Sequence, residues 1–388
     1  MSTAIAFLSG KGGSGKTTLA LSIADLLCRC GIQSLLVDCD LSTNGATYFY
    51  EAQLNEWNGN NIIKVSSFCD VLNGNYSQIS HPFEVKPQLD FIPSVSEISE
   101  NSLTWLRKND MEVERNLRAF VDIAKEKYDV VLFDCQAGYS EFLPALLPKM
   151  DADLFVLEAD NISASAMRSL HLKIGNHFGR ARLYQIFNKA TQEEFETYSK
   201  IVGTFFTNIG TLLFDWKIRQ AFSRSQIPDL ENTSEQYGWD LCNICKVVFR
   251  EKATQGSLER FSAKMQYRKL EKKRANEERE LELLLSKRNF TPKIAIMILT
   301  IIAVIAGGIL IVAVLAQWTA QKTDFNMITT ALLIGGVSVV VPMIMTFVDG
   351  KNERQEGRKK RWEYEQKLRS IEIELSKLDK KLMESDHS

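Results

Sequence analysis

The sequence predicts an α/β protein, a mostly parallel, doubly wound sheet followed by a helical region. Three observations predict it. A glycine-rich stretch, "AFLSGKGGSGKTTLA" at residues 6–20, lies between a β-favouring run (Thr3 to Leu8) and a helix-like apolar repeat (Leu19, Ile23, Leu26, Leu27). Two later apolar runs, Leu35 to Val37 and Val130 to Phe133, each end in aspartate. Short unbroken apolar runs suit strands buried on both faces, as a parallel sheet requires. After residue 255 the composition changes abruptly, first to dense charge and then to long apolar runs.

The glycine-rich stretch fits G-x-x-x-x-G-K-[ST], with Gly10, Gly15, Lys16 and Thr17 at the fixed positions. Its strand–loop–helix setting is the one in which the pattern binds phosphate. Gly12, Gly13, Ser14 and Gly15 can turn their backbone N–H groups inward as an anion nest, and the following helix points its positive end at the same place. Lys16 then neutralises β and γ oxygens, the Thr17 hydroxyl is a Mg²⁺ ligand, and Thr18 continues the binding run. The expected ligands are a nucleotide and Mg²⁺, on a P-loop nucleotide-binding sheet.

A simple phosphate loop has no need of Lys11. "KGGSGKTT" resembles the deviant P-loop of the MinD/ParA family of ATPases, whose relatives include arsenical-pump-type ATPases and the nitrogenase iron protein. The resemblance implies that Lys11 reaches across a homodimer to the phosphates held by the partner, so that ATP sits between two subunits. Downstream, "VDCDLSTN" carries Asp38 and Asp40, which alternation along a strand projects on one side, with Asn44 four residues on. The resemblance implies that Asp40 orients the attacking water and that Asp38 supports the Mg²⁺ shell. Asp134, ending "VVLFD", is the natural Walker B carboxylate, a Mg²⁺ ligand through water. "DCQAG" is similar to the family's D-x-x-A-G switch, with Gln136 where proline is common. Asn188, in "ARLYQIFNKA", matches the asparagine that contacts adenine. "LLFDWKIRQAFSRSQIP" (212–228) is similar to the segment after the last strands, with Asp215, Arg219, Ala221 and Pro228 in familiar places. The resemblance covers roughly residues 1–235. Residues 50–88 show no motif, only a polar, Asn-rich stretch that suits a specificity-determining surface.

The 388-residue chain has a formal net charge of −1, which does not select nucleic acid as a partner and leaves it open. Seven cysteines are scattered without a disulfide framework, and no signal peptide precedes the first strand. Cys242 and Cys245 form a lone C-x-x-C in a helical stretch, with neither a second pair nor a nearby histidine to complete a zinc set. An ATP site requires the cytosol.

The expected organisation is an ATPase domain over 1–250, a charged helix over 251–293, a two-helix transmembrane hairpin over 294–348, and a C-terminal coiled-coil helix over 349–388. The run 294–316 carries no charge and as a helix spans roughly 34 Å, enough for a bilayer core. A second apolar run, Met327 to Val348, contains Pro342, which a membrane helix tolerates. Basic residues flank both runs (Lys287, Arg288 and Lys293 before; Lys351, Arg354, Arg358 to Arg361 after), while the link has only Lys322. That asymmetry predicts a protein of the cytoplasmic (inner) membrane with both termini cytoplasmic and the lipid bilayer as a partner. In the tail, Tyr364, Leu368, Ile371, Leu375, Leu378 and Leu382 alternate four and three apart, an a/d seam of about three heptads.

The function expected from these readings is a membrane-anchored ATPase that forms a homodimer on ATP and recruits or organises an unidentified protein partner. A bacterial-type tyrosine kinase is a second class, although its spans ordinarily precede the ATPase and Tyr364 is the lone tail tyrosine. A nucleotide-binding scaffold with little turnover is a third. DNA segregation is a fourth, and it would need a basic dimer surface.

Overall fold

The computed structural model describes residues 2–61, 65–74, 82–95, 110–191, 193–194, 196–198, 206–230, 235–288, 356–380 and 382–383. They fall into two compact units, Met1–Met265 and Gln266–Ser388.

The first unit is built on one eight-stranded sheet. In chain order its elements are β1 (Thr3–Leu8), α1 (Lys16–Arg29), β2 (Ser34–Cys39), α2 (Gly45–Phe49), α3 (Glu51–Asn60) and α4 (Phe68–Leu72). There follow β3 (Phe83–Lys86), β4 (Leu89–Ile92), α5 (Asp110–Lys127), β5 (Val130–Cys135), α6 (Leu143–Leu146), β6 (Ala152–Leu157) and α7 (Asn161–Ile174). The unit continues with β7 (Arg182–Ala190), β8 (Thr207–Leu213), α8 (Trp216–Phe222), α9 (Glu235–Val248) and the start of α10 (Lys252–Arg288). The strand order is β3-β4-β2-β5-β1-β6-β7-β8. Every pairing is parallel except the β3–β4 edge hairpin.

The central strands β1, β2, β5 and β6 are buried on both faces apart from Thr3, which explains why they read as unbroken apolar runs. Alternate residues feed two cores. On one face Ala6, Leu8, Val37, Phe133 and Phe155 pack under α5 and α7 through Leu117, Phe120, Met167 and Leu170. On the other, Phe7, Leu36, Leu132 and Ile186 pack under α1 and α9 through Leu19, Ile23, Leu26, Leu241 and Ile244. Each such fully buried Leu, Ile or Phe contributes about 1.5–3 kcal/mol relative to exposure. Cys242 and Cys245 are part of this second core.

The layering fixes where chemistry can occur. With β1 central and successive crossovers leaving to opposite sides, the carboxyl ends of β1, β2 and β5 open onto one crevice, the usual ligand position in a doubly wound sheet.

In the second unit residues 356–380 form a helix, here α11. Ile371 and Leu375 are its buried positions, and Lys367 Nζ lies 3.9 Å from Glu277 Oε2 of α10. The apolar seam of the tail is thus its least exposed stripe.

The expectation of a two-span membrane protein is corrected. Among the described residues no helix is long and apolar enough to cross a membrane. The longest, α10, has Arg268, Lys269, Glu271, Lys272, Lys273 and Arg274 within seven residues, a density of charge that hydrocarbon does not accept. The runs 294–316 and 327–348, which carry that expectation, lie outside the described residues.

Candidate functional site: a phosphate loop beside buried carboxylates

The loop between β1 and α1 has the backbone its composition demands. Gly15 is the N-cap of α1 with φ 87°, the left-handed region that penalises a side chain. A Cβ there would also sit 2.3 Å from the Asn188 amide nitrogen, so two independent constraints select glycine. At Gly10 the constraint is contact alone, since a Cβ would approach the backbone of Ala166 to 2.3 Å. Asn188 Nδ2 donates to the Ser14 carbonyl at 2.8 Å, tying the end of β7 to the loop. The "CQAG" segment closes over the same loop, where Gly138 N donates to the Ser9 carbonyl at 2.8 Å. Gln136 does not prevent that contact.

The three carboxylates differ sharply in their surroundings. Asp38 and Asp134 are register partners on β2 and β5, both fully buried. Asp38 accepts from Thr47 N (2.8 Å), Thr47 Oγ1 (2.7 Å) and Asp40 N (3.0 Å). No hydrogen bond of ordinary geometry reaches either oxygen of Asp134, and the Thr17 hydroxyl and the Lys16 charge are the groups that act on it. Burial, and then the charge of Asp134, push Asp38 up to about 7, against the hydrogen bonds from Thr47 and Asp40. Burial pushes Asp134 up to about 6, with the Lys16 charge and the Thr17 hydroxyl pulling back. A buried carboxylate without a donor is costly unless a cation or proton answers it. The residues present therefore fit Mg²⁺, with Asp134 and Thr17 as the groups that would hold it. Asp38 is otherwise engaged, fastening α2 to the sheet through Thr47.

Asp40 is not free either. Its Oδ1 accepts from Ser42 N (3.1 Å), Ser42 Oγ (2.6 Å) and Thr43 N (2.9 Å), and its Oδ2 from Thr43 Oγ1 (2.6 Å). Burial opposes ionisation, but these donors together hold its carboxyl below the usual range.

Lys11 is anchored within its own chain. Its Nζ lies 2.8 Å from Glu158 Oε2 and 3.1 Å from Asp160 Oδ2. Lys189 Nζ reaches Glu158 Oε1 at 3.2 Å and donates to the Gly13 carbonyl. Glu158, Asp160 and Lys189 escape a motif reading. The only signal in the sequence is "EADNIS", an N-cap pattern ahead of α7, in which Asp160 accepts from Ser163 N at 2.7 Å.

Beside the loop lies a cavity of about 470 Å³ lined by Thr18, Asn188, Lys189, Leu213, Phe214, Asp215, Ile218, Arg219, Phe222 and Tyr237. Its size and mixed lining suit a base and ribose. Thr18, Asn188 and Arg219, widely separated in sequence, meet here. Asp215 caps α8 by accepting from Lys217 N at 2.8 Å.

Sheet, loop and carboxylates together form a P-loop α/β fold similar to that of MinD/ParA-type proteins. Residues 2–177 match the family model described as an AAA domain. The chain is 25% identical over 155 residues to a protein of Guillardia theta named as septum site-determining protein MinD, covering 39% of this chain and 51% of that one. It thus spans about half the length of that relative. Among solved structures, it is similar to a plasmid partition protein of Borrelia burgdorferi B31 bound to AMPPNP, with 20% identity and a TM-score of 0.54 over 63% of this chain and 98% of that one. It is also similar to the septum site-determining protein MinD of Pyrococcus horikoshii OT3 complexed with Mg-ADP, with 19% identity and a TM-score of 0.51 over 64% and 97%.

Proposed function

We propose that this chain is a Mg·ATP-dependent switch, in which two copies pair over ATP and separate after hydrolysis, presenting different surfaces to a protein partner in the two states. The observation that carries the proposal is the pairing of the glycine-rich loop at residues 10–17, left-handed at Gly15 where α1 begins, with a fully buried carboxylate at Asp134 that no hydrogen bond of ordinary geometry satisfies. One side answers phosphate and the other a divalent cation, and Mg·ATP brings both. Within this reading the backbone of Gly12 to Gly15 and Lys16 bind the phosphates, Thr17 and Asp134 hold the ion, and Thr18 and Asn188 border the base. The ion supplies neutralisation of phosphate charge. Asp38 keeps α2 against the sheet, Asp40 orients water, and Lys11 answers the triphosphate of the second copy.

A second reading, a nucleotide-binding scaffold with little turnover, is favoured by one observation. Asp40 is committed to four hydrogen bonds inside its own loop and must leave at least one to orient water. Phosphate release measured against protein concentration separates the readings. A pairing ATPase gives a rate per chain that climbs with concentration and then levels. A rate per chain independent of concentration contradicts pairing, and undetectable release with intact Mg·ATP binding favours the scaffold.

A further inference from the structure

The P-loop carries two lysines that phosphate would attract, yet one of them is already occupied. Lys11 faces Glu158 and Asp160, and Lys189 faces Glu158 and the Gly13 carbonyl. Glu158 is therefore shared by two cations from opposite sides of the loop, one reached from the end of β1 and one from the end of β7. The cluster is built rather than incidental. Asp160 is fixed by its capping bonds from Ser163 N and Ser163 Oγ. Lys189 adopts a left-handed φ of 56°, a conformation that costs a non-glycine residue energy and persists only where surroundings enforce it. The side chains of Lys11 and Glu158 are 29% and 27% exposed, so water screens the contact only in part.

We infer that Glu158 is a positioning residue that latches Lys11 and Lys189 within the single protomer, so that pairing must first displace Glu158 from Lys11. Lys11 cannot lie on the carboxylates of its own chain and on the triphosphate of a second copy at once. The latch opposes pairing when no nucleotide is bound, and nucleotide charge, which competes for Lys189 across the loop, loosens it. The latch stands on the geometry of the single chain, and its consequence for pairing rests on the function proposed above.

The test uses Glu158→Gln, which keeps shape and removes charge. Brief acetic anhydride labelling without nucleotide, read by peptide mass spectrometry, reports how free each amine is. The expected result is Lys11 acylation in Glu158→Gln faster than in wild type by about five-fold, the scale of a partly exposed ion pair. Lys125, which pairs with Asp151 at 2.7 Å elsewhere, stays unchanged and reports intact folding. Sedimentation with Mg·ATP should then show the dimer dissociation constant falling by up to about 25-fold, five-fold for each of two latches. Equal Lys11 labelling in the two proteins overturns the latch. Faster labelling with equal pairing overturns its role in pairing. If Lys11 is freed but neither protein pairs, the latch is supported and the pairing function fails.

Discussion

Asp134→Asn should stabilise the nucleotide-free protein while abolishing its response to Mg·ATP. The carboxyl is fully buried, and no hydrogen bond of ordinary geometry reaches either oxygen. Burial pushes its pKa up from 3.8 to about 6, so the folded state binds the proton more tightly than the unfolded state. The contribution of this carboxyl is therefore lost as pH rises from 3.8 through about 6, and that of its neighbour Asp38 goes on being lost up to about 7. The full difference is worth on the order of a few kcal/mol at pH 8 and well under 1 kcal/mol at pH 4. Asparagine removes the charge but buries an amide of its own, leaving a net gain of about 2 kcal/mol at pH 8. For a unit of some 250 residues that corresponds to a rise in Tm of about 4–8 °C. Thermal unfolding in EDTA at pH 8 and pH 4, with and without Mg·ATP, measures each part. The variant should melt higher at pH 8, nearly match wild type at pH 4, and gain nothing further from Mg·ATP. A variant that melts lower at pH 8 in EDTA, or one stabilised by Mg·ATP as strongly as wild type, would refute the reasoning.

Two further substitutions probe the same site. Asp40→Ala should lower phosphate release by about 10²-fold or more while leaving ATP-bound pairs long-lived, because positioned acid–base and water-orienting groups contribute on that scale; release at the wild-type rate removes Asp40 from its role. Gly15→Ala should lose ATP binding and cost about 1–3 kcal/mol of stability, since the Cβ meets the Asn188 amide at 2.3 Å on a backbone with φ 87°. Calorimetric titration with Mg·ATP and urea unfolding check the two effects separately, and ordinary binding by Gly15→Ala would mean that the loop does not require this geometry.

Most of the first unit's scaffold was legible because both of its faces are apolar. Leu35 to Val37 and Val130 to Phe133 could only be strands covered on each side, and they became β2 and β5 at the centre of the sheet. The phosphate loop was legible because glycine is demanded by backbone angle and close contact at fixed positions. What the sequence could not convey was competition among polar groups. Asp38 and Asp40 look equivalent as D-x-D, yet one fastens α2 through Thr47 and the other closes its own loop through Ser42 and Thr43. Lys11 was conspicuous, but Glu158, Asp160 and Lys189 were not, since an ion pair across 149 residues leaves no local pattern. The β3–β4 hairpin also went unread, because its strands are four residues each, too short for alternation to stand out. The helical character of α10 was plain from its dense charge, whereas the membrane reading rested on the length of two apolar runs and on their basic flanks, in residues that lie outside the described ones.

The central claim is that two copies pair over ATP through Lys11. Sedimentation velocity of wild type and Lys11→Ala, each with Mg·ATP in excess, tests it most directly. Wild type should shift to twice its monomer mass, and Lys11→Ala should remain a monomer although it still binds ATP. A wild type that stays monomeric at every ATP concentration, or a Lys11→Ala protein that pairs as readily, contradicts the account.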